Sequence, residues 1–287
     1  MIITPVLSKK NAFGVVATLF LALVLAGCES NPAGGGEDGG PSRVTVANLE
    51  DFMVKVTGGT AKIGCRGEEY GEVFIGSNTD NANVCLKDTT ATVSDFYIGQ
   101  FEVTQGLWKE VFSAPDSNRS GYKGNDLPVT NVTGTAINNF IRELNNKKGY
   151  ATTDPNRYRL PLEAEWEYAA RGGAQGAGFR YSGSNNVDDV ALYGGIDNPS
   201  KEPRPVGEKQ PNELNIYDMS GGVFELVIRF GDDISSNYRA ERGGSWYGYS
   251  DYCGVTYRKP VPVAELSNAT GDRGFRIARS KAPTDPW

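Results

Sequence analysis

Any thiol chemistry in this chain rests on four cysteines, Cys28, Cys65, Cys85 and Cys253, and it must proceed without histidine, which is absent from all 287 residues. That absence excludes a histidine-based nucleophile triad, a histidine general base and histidine-ligated zinc or iron. Catalysis would be left to carboxylates, lysine, tyrosine or one thiol. The cysteines themselves divide by context. Cys28 closes Leu25-Ala26-Gly27-Cys28 behind an apolar-to-small run from Phe13 to Ala26 that follows Lys9 and Lys10, the order of a secretory signal ending in a lipoprotein-type cleavage site. The run is too short, and its right flank too rich in glycine, for a membrane span of about 20 residues. Plain secretion would leave the cysteine unexplained. The expectation is therefore cleavage before Cys28 and a lipid on that cysteine, each buried methylene contributing about 0.8 kcal/mol to membrane attachment. Cys65 and Cys85 bracket a stretch rich in Gly, Asn and Glu from Arg66 to Val84. A Cys65 to Cys85 disulfide, permitted in an exported protein, would stabilise by about 3 kcal/mol through the unfolded chain. Cys253 is left over and is expected to be buried and inert.

A second concentration of functional residue types is Trp246-Tyr247-Gly248-Tyr249-Ser250-Asp251-Tyr252-Cys253-Gly254-Val255-Thr256-Tyr257-Arg258. Tyrosine supplies rigid amphipathic contact area at low entropic cost, and serine and glycine supply adaptable polar contacts and room, as in antibody paratopes. Outside Trp246, Cys253 and Val255 there is little to bury. The stretch reads as a ligand-binding surface built from Trp246, Tyr247, Gly248, Tyr249, Ser250, Asp251, Tyr252, Gly254, Thr256 and Tyr257. A solvated, aromatic-rich loop is the plainer alternative.

The elements that must position these residues follow from composition and periodicity. Removing residues 1–27 takes the formal net charge from −6 to −8, which argues against nucleic acid and anionic membrane surfaces as partners. Residues 28–42, from Cys28 to Ser42, hold glycine and polar residues with nothing to build a core, and form a flexible tether. Residues 43–287 have the size of one domain without a second linker or a tandem repeat, expected to be monomeric. Val44 to Gly64 alternates around Gly58-Gly59 as two short strands and a turn. Phe96 to Val103 reads as a strand running into Thr104, an N-cap for a helix carrying Leu107, Trp108, Val111 and Phe112. A second helix is expected from about Thr135 to Asn146 with Ala136, Phe140, Ile141 and Leu144 on one face, and a third from Leu162 to Arg171 with Trp166, Ala169 and Ala170 inward. From Gly173 to Ser220 the chain is dominated by Gly, Asn, Asp, Pro and Ser, so only short strands are expected. The class is α+β with much ordered loop.

Several stretches match one family in order: Val54-Lys55-Val56-Thr57-Gly58-Gly59-Thr60, Glu102-Val103-Thr104, Arg159 through Gly173, Pro211-Asn212-Glu213-Leu214, Tyr217-Asp218-Met219-Ser220-Gly221, Arg242-Gly243-Gly244-Ser245-Trp246 and Gly274-Phe275-Arg276. They resemble the formylglycine-generating enzyme, or sulfatase-modifying factor, family. The resemblance covers nearly all of residues 43–287 and implies a C-type-lectin-like fold, a small antiparallel sheet framed by helices and long loops. Trp166 and Trp246 then become core anchors, and Glu163, Glu165 and Arg171 structural ion pairs.

The family's oxidase binds copper through two cysteines five residues apart, since soft thiolates select Cu(I). Cys253 fills the first position, but Arg258 stands at the second. Iron-dependent relatives use histidine ligands, which this chain lacks, so the resemblance implies no catalysis here. Where relatives read Gly-Asn-Val-Trp-Glu-Trp around a calcium ion, this chain reads Gly221-Gly222-Val223-Phe224-Glu225-Leu226. The ligands the resemblance implies are the carboxylates of Asp218 and Glu225 and the carbonyls of Gly221 and Val223, oxygen donors suited to a structural calcium; a Gly-rich turn without an ion is the alternative. The family's other calcium loop has no match between Val187 and Gly207.

The segment from Trp246 to Arg258 also resembles the variable region of proteins diversified by diversity-generating retroelements, some of them lipoproteins with this fold. Their mutagenesis acts on adenines, turning asparagine codons into those of Tyr, Asp, Ser, Gly or Thr. The implied function is a non-catalytic lipoprotein of the outer membrane or cell surface that binds an external protein or glycan. A structural lipoprotein of a secretion or motility complex is the alternative.

Overall fold

The computed structural model describes residues 43–64, 89–113, 118–195, 202–228 and 237–280. The signal segment, Cys28 with its tether, and the Cys65 and Cys85 pairing lie outside the described residues. Among the described residues, no helix is long and apolar enough to cross a membrane.

Both N-terminal strands form, but they do not pair with each other. β1 (Met53–Val56) runs antiparallel to β4 (Phe96–Gly99), while β2 (Gly59–Ile63) pairs with β3 (Thr89–Val93). Gly58 stands where the chain passes between them, and a Cβ there would lie 2.3 Å from the Val93 carbonyl oxygen. The strand anticipated over residues 96–103 leaves the ladder at Gly99. Beyond it the backbone is held by other segments, with Gln100 N donating to Phe52 O and Val103 N to Phe275 O.

Two four-stranded sheets result. The first has the order β1-β4-β10-β5, with β5 at Tyr158–Arg159 and β10 at Ala278–Ser280. The second has the order β8-β7-β6-β9, made of β6 (Phe224–Val227), β7 (Tyr238–Arg242), β8 (Arg258–Pro262) and β9 (Arg273–Gly274), and its β6 and β9 run parallel.

The helices start where their caps are. α1 (Gln105–Phe112) begins after Thr104, whose Oγ1 accepts from Leu107 N at 3.2 Å. α2 (Gly134–Lys148) begins after Thr133, whose Oγ1 accepts from Ala136 N at 3.1 Å, and stops at Gly149 with φ 73°. It buries Ile137, Phe140 and Leu144, with Ala136 and Ile141 half-buried against the same core. Trp108 of α1 stacks on Phe140 of α2 at 5.1 Å, and Phe275 closes the cluster edge-on.

α3 (Glu163–Ala170) is buried on every side, which its three glutamates permit only because each is paired. Glu163 meets Arg258, Glu165 meets Arg159, and Glu167 meets both Arg171 and Arg242. The expected structural role of Glu163, Glu165 and Arg171 holds, with these partners. Between Gly173 and Ser220 the described backbone forms a short turn at Gly173–Gln175, the single-turn helix α4 (Val187–Val190) and isolated bridges rather than strands.

Candidate ligand-binding face

The loop from β7 to β8 is a backbone pinned from inside with side chains left outside. It leaves β7 through Gly243 and Gly244, both at positive φ (91° and 79°). A Cβ on Gly244 would stand 2.8 Å from Cys253 Sγ, so glycine is required for the return strand to close. Trp246 N donates to Gly222 O at 2.7 Å, Gly194 N to Gly248 O at 2.8 Å, Val255 N to Arg180 O at 3.0 Å, and Ser220 Oγ to Cys253 O at 2.7 Å. Arg242, fully buried, donates to Thr256 O at 2.9 Å and to Tyr257 O while its other end holds Glu167.

This frame sorts the ten residues assigned to a binding surface. Tyr247 and Tyr249 are 67% and 51% exposed. Gly248, Ser250, Asp251 and Tyr252 are half-buried beside them. Trp246 lies beneath, 9% exposed, with the Tyr247 ring edge-on at 5.5 Å. Gly254, Thr256 and Tyr257 are buried and leave the candidate surface. Little in the composition of this stretch marks these residues for burial, because the burying partner is remote: the Arg242 guanidinium draws the backbone of residues 255–257 inward. Tyr257 then stacks on Tyr252 at 4.8 Å.

Sequence reasoning missed two contributors. Tyr122, 42% exposed, sets its ring edge-on to Trp246 at 5.7 Å from a distant loop. Arg180 pairs with Asp251 at 2.8 Å at the other end of the face. Gly121-Tyr122-Lys123-Gly124 has the same Gly and Tyr vocabulary as the main loop, and that was the available signal. The indole N–H of Trp246, at the centre, finds no acceptor among the described residues. A buried donor left unmade costs about 1–3 kcal/mol.

The thiol and carboxylate positions look different. Cys253 is buried and free, and burial pushes its thiol up to about 12, so no thiolate forms near neutrality. Arg258, at the place of a second cysteine, puts Nε 2.7 Å from Glu163 Oε1. Of the implied calcium ligands, Glu225 is already engaged by a cation. Glu225 presents both oxygens to Arg276 at 2.7 Å and accepts from Trp166 Nε1 at 2.8 Å, so a cation at this carboxylate would face a guanidinium. Among the described residues, no three acidic or thiol side chains are placed to hold a metal.

Asp218, at φ 58°, instead shares a small cavity with Glu102, beside Gly222 and Val206. Asp218 Oδ2 accepts from Gly207 N, and Glu102 Oε1 from Val223 N, each at 2.7 Å. Burial first, then the neighbouring carboxylates Asp218 and Glu225, pushes Glu102 well above the usual range. Burial likewise raises Asp218 to about 6.

Small β-sheets, helices and long ordered loops carrying the exposed face define an α+β domain of the C-type-lectin-like, formylglycine-generating-enzyme type. The chain belongs to the sulfatase-modifying factor enzyme 1-like family, whose model matches residues 41–281. It is 36% identical over 242 residues to the chaperone protein LppX of Paenibacillus barcinonensis, covering 68% of this chain and 83% of that protein. It is 29% identical over 139 residues to the mouse inactive C-alpha-formylglycine-generating enzyme 2, covering 42% of this chain and 43% of that one. Among solved structures it resembles Treponema denticola variable protein 1, with a TM-score of 0.65 and 26% identity over 79% of this chain and 94% of that chain. The fold is shared with PvdO from Pseudomonas aeruginosa, with a TM-score of 0.64 and 22% identity over 79% of this chain and 94% of that chain.

Proposed function

We propose that this protein is a non-catalytic binding lipoprotein, tethered to the outer membrane through Cys28, that docks an external partner on the face formed by Tyr247, Tyr249, Ser250, Asp251 and Tyr252. The observation that carries the reading is the pair of aromatic side chains most exposed among the described residues, Tyr247 and Tyr249, on a loop whose backbone is secured without them. An aromatic centre with a charged pair at its edge, here Arg180 and Asp251, is the anatomy of a protein–protein interface. A folded protein is therefore the proposed partner, and a glycan the outcome to be tested against it. The missing second thiol and the raised Cys253 thiol support the absence of oxidase chemistry. No resident ion is required, because Arg276 neutralises Glu225. The likeness to a variable protein supports diversification of the exposed positions.

The test replaces Tyr249 with the photocrosslinker p-benzoylphenylalanine in the full-length protein on intact cells. A discrete protein adduct is expected from position 249 and not from Tyr238, exposed at the far end of β7. Equal yields from both positions, or adducts to glycan alone, refute the assignment. A chaperone role, suggested by the likeness to LppX, predicts instead that the protein suppresses aggregation of an unrelated denatured protein, and that Tyr249→Ser abolishes it.

A further inference from the structure

We propose that the docking face is composite, with Tyr122 as its fixed half and Gln105 as the buried residue that positions Tyr122; this rests on the docking reading above. Gln105 occupies the first position of α1, where the backbone N–H has no partner within the helix. That N–H donates to Leu127 O at 2.8 Å. The side chain is 1% exposed and uses its whole capacity on the same loop. Nε2 donates to Tyr122 O at 3.0 Å and to Pro128 O at 3.2 Å. Oε1 accepts from Asn118 Nδ2 at 2.7 Å and from Gly124 N at 3.3 Å.

Residues 118–130 are thus wound around one amide. Lys123 Nζ adds a bond to Asn118 O at 2.8 Å, and Ser120 N donates to Asn118 Oδ1 at 3.0 Å. The loop is thereby held in one shape without regular secondary structure, its buried polar groups bonded to one another rather than to water. What the loop presents is Tyr122, edge-on to the same Trp246 indole that the Tyr247 ring meets edge-on. Tyr249 is supported in turn by Gly195, at φ 101°, where a Cβ would meet its ring at 2.8 Å.

The two halves differ in kind. The exposed side chains of Tyr247 and Tyr249 can change without breaking the backbone bonds of the frame, whereas Tyr122 belongs to a loop locked by a buried residue. A partner engaging the face meets a constant tyrosine beside exchangeable positions. Tyr122 therefore acts as a general anchor, while the loop from Tyr247 to Tyr252 sets which partner is accepted.

The experiment selects constrained peptides from a phage library on the full-length protein in lipid nanodiscs and measures their affinity for variants. Peptides weakened by Tyr247→Ala or Tyr249→Ala are expected to lose about tenfold or more with Tyr122→Ala, and to retain most affinity with Tyr122→Phe. Gln105→Met is expected to weaken them as Tyr122→Ala does. The double variant should be no worse than Tyr122→Ala alone, because Gln105 acts through Tyr122. Hydrogen exchange should rise in residues 118–126 and stay unchanged in α2. If Gln105→Met does not fold, the one-methylene truncation Gln105→Asn replaces it. Peptides that depend on Tyr247 and Tyr249 but bind Tyr122→Ala unchanged overturn the composite face and leave the docking reading intact. Additive losses in the double variant overturn the positioning role. Peptides indifferent to all three tyrosines, or an empty selection, overturn the docking reading itself.

Discussion

Restoring the second cysteine of the oxidase motif should damage the fold without creating the chemistry. In Arg258→Cys the perturbation falls on a pair whose side chains are 5% and 0% exposed, with Arg258 Nε 2.7 Å from Glu163 Oε1. Glu163 would lose its 2.7 Å partner and keep the longer contact to Arg242 Nε at 3.8 Å, in a site closed to water. Breaking a buried pair from one side costs about 3–5 kcal/mol, a large share of the roughly 5–15 kcal/mol that holds a domain folded. At about 2–4 °C per kcal/mol for a domain of this size, the midpoint of thermal unfolding should fall by about 6–20 °C. Tryptophan fluorescence during a thermal ramp at pH 7 measures it. Replacing both partners by apolar residues, Arg258→Met with Glu163→Leu, should recover most of the loss, because the uncompensated charge is gone. Copper(I) should not bind tightly to Arg258→Cys, since burial holds Cys253 protonated, its thiol pushed up to about 12. A midpoint within about 3 °C of the parent protein, or stoichiometric copper(I) binding with aldehyde formation on a sulfatase-motif peptide, would refute the reasoning.

Three further outcomes follow from separate parts of the molecule. Cys28→Ser should abolish incorporation of a fatty-acid analogue and move the protein from the membrane fraction to the medium; retained membrane labelling counts against the anchor. Asp218, raised from 3.8 to about 6, and Glu102, raised in the same direction, bind more protons in the folded than in the unfolded chain. The stabilising effect of Asp218 is complete below about pH 4 and is lost as pH rises through about 6, about 3 kcal/mol in all, and that of Glu102 has the same sign. Urea melts from pH 4 to 8 should therefore flatten in Asp218→Asn, which keeps an acceptor for Gly207 N and tolerates positive φ; an unchanged profile shows that Asp218 does not titrate in this window. Tyr247→Ser and Tyr249→Ser should each move stability by no more than about 0.5 kcal/mol, whereas Tyr257→Ala should cost about 3 kcal/mol, and equal costs at 249 and 257 would contradict the division of the loop.

That division marks the boundary of what the sequence could reveal. The start of α1 was legible because a threonine hydroxyl acts within its own turn: Thr104 caps as its position indicates, whereas α2, expected from about Thr135, begins after an unanticipated cap, Thr133. The family motifs indicated the fold because they are long, but they were silent about partners across the chain. Glu225 and Gly274-Phe275-Arg276 were both visible, yet only the folded chain brings Arg276 onto both oxygens of Glu225, a pairing that neither motif names. The loop from Trp246 to Arg258 shows the same limit. Composition identifies residues able to form a binding surface, but burial is decided by where the backbone is held. Arg242 holds residues 255–257 from below, and Gln105 holds the Tyr122 loop through one amide. Both are buried polar side chains bonded to backbone carbonyls far away in sequence, interactions that no local pattern encodes. Their common consequence is that the exposed residues of the face contribute little to its frame. A surface built that way can change its side chains while keeping its shape, which is the physical requirement for an anchored scaffold that meets different partners.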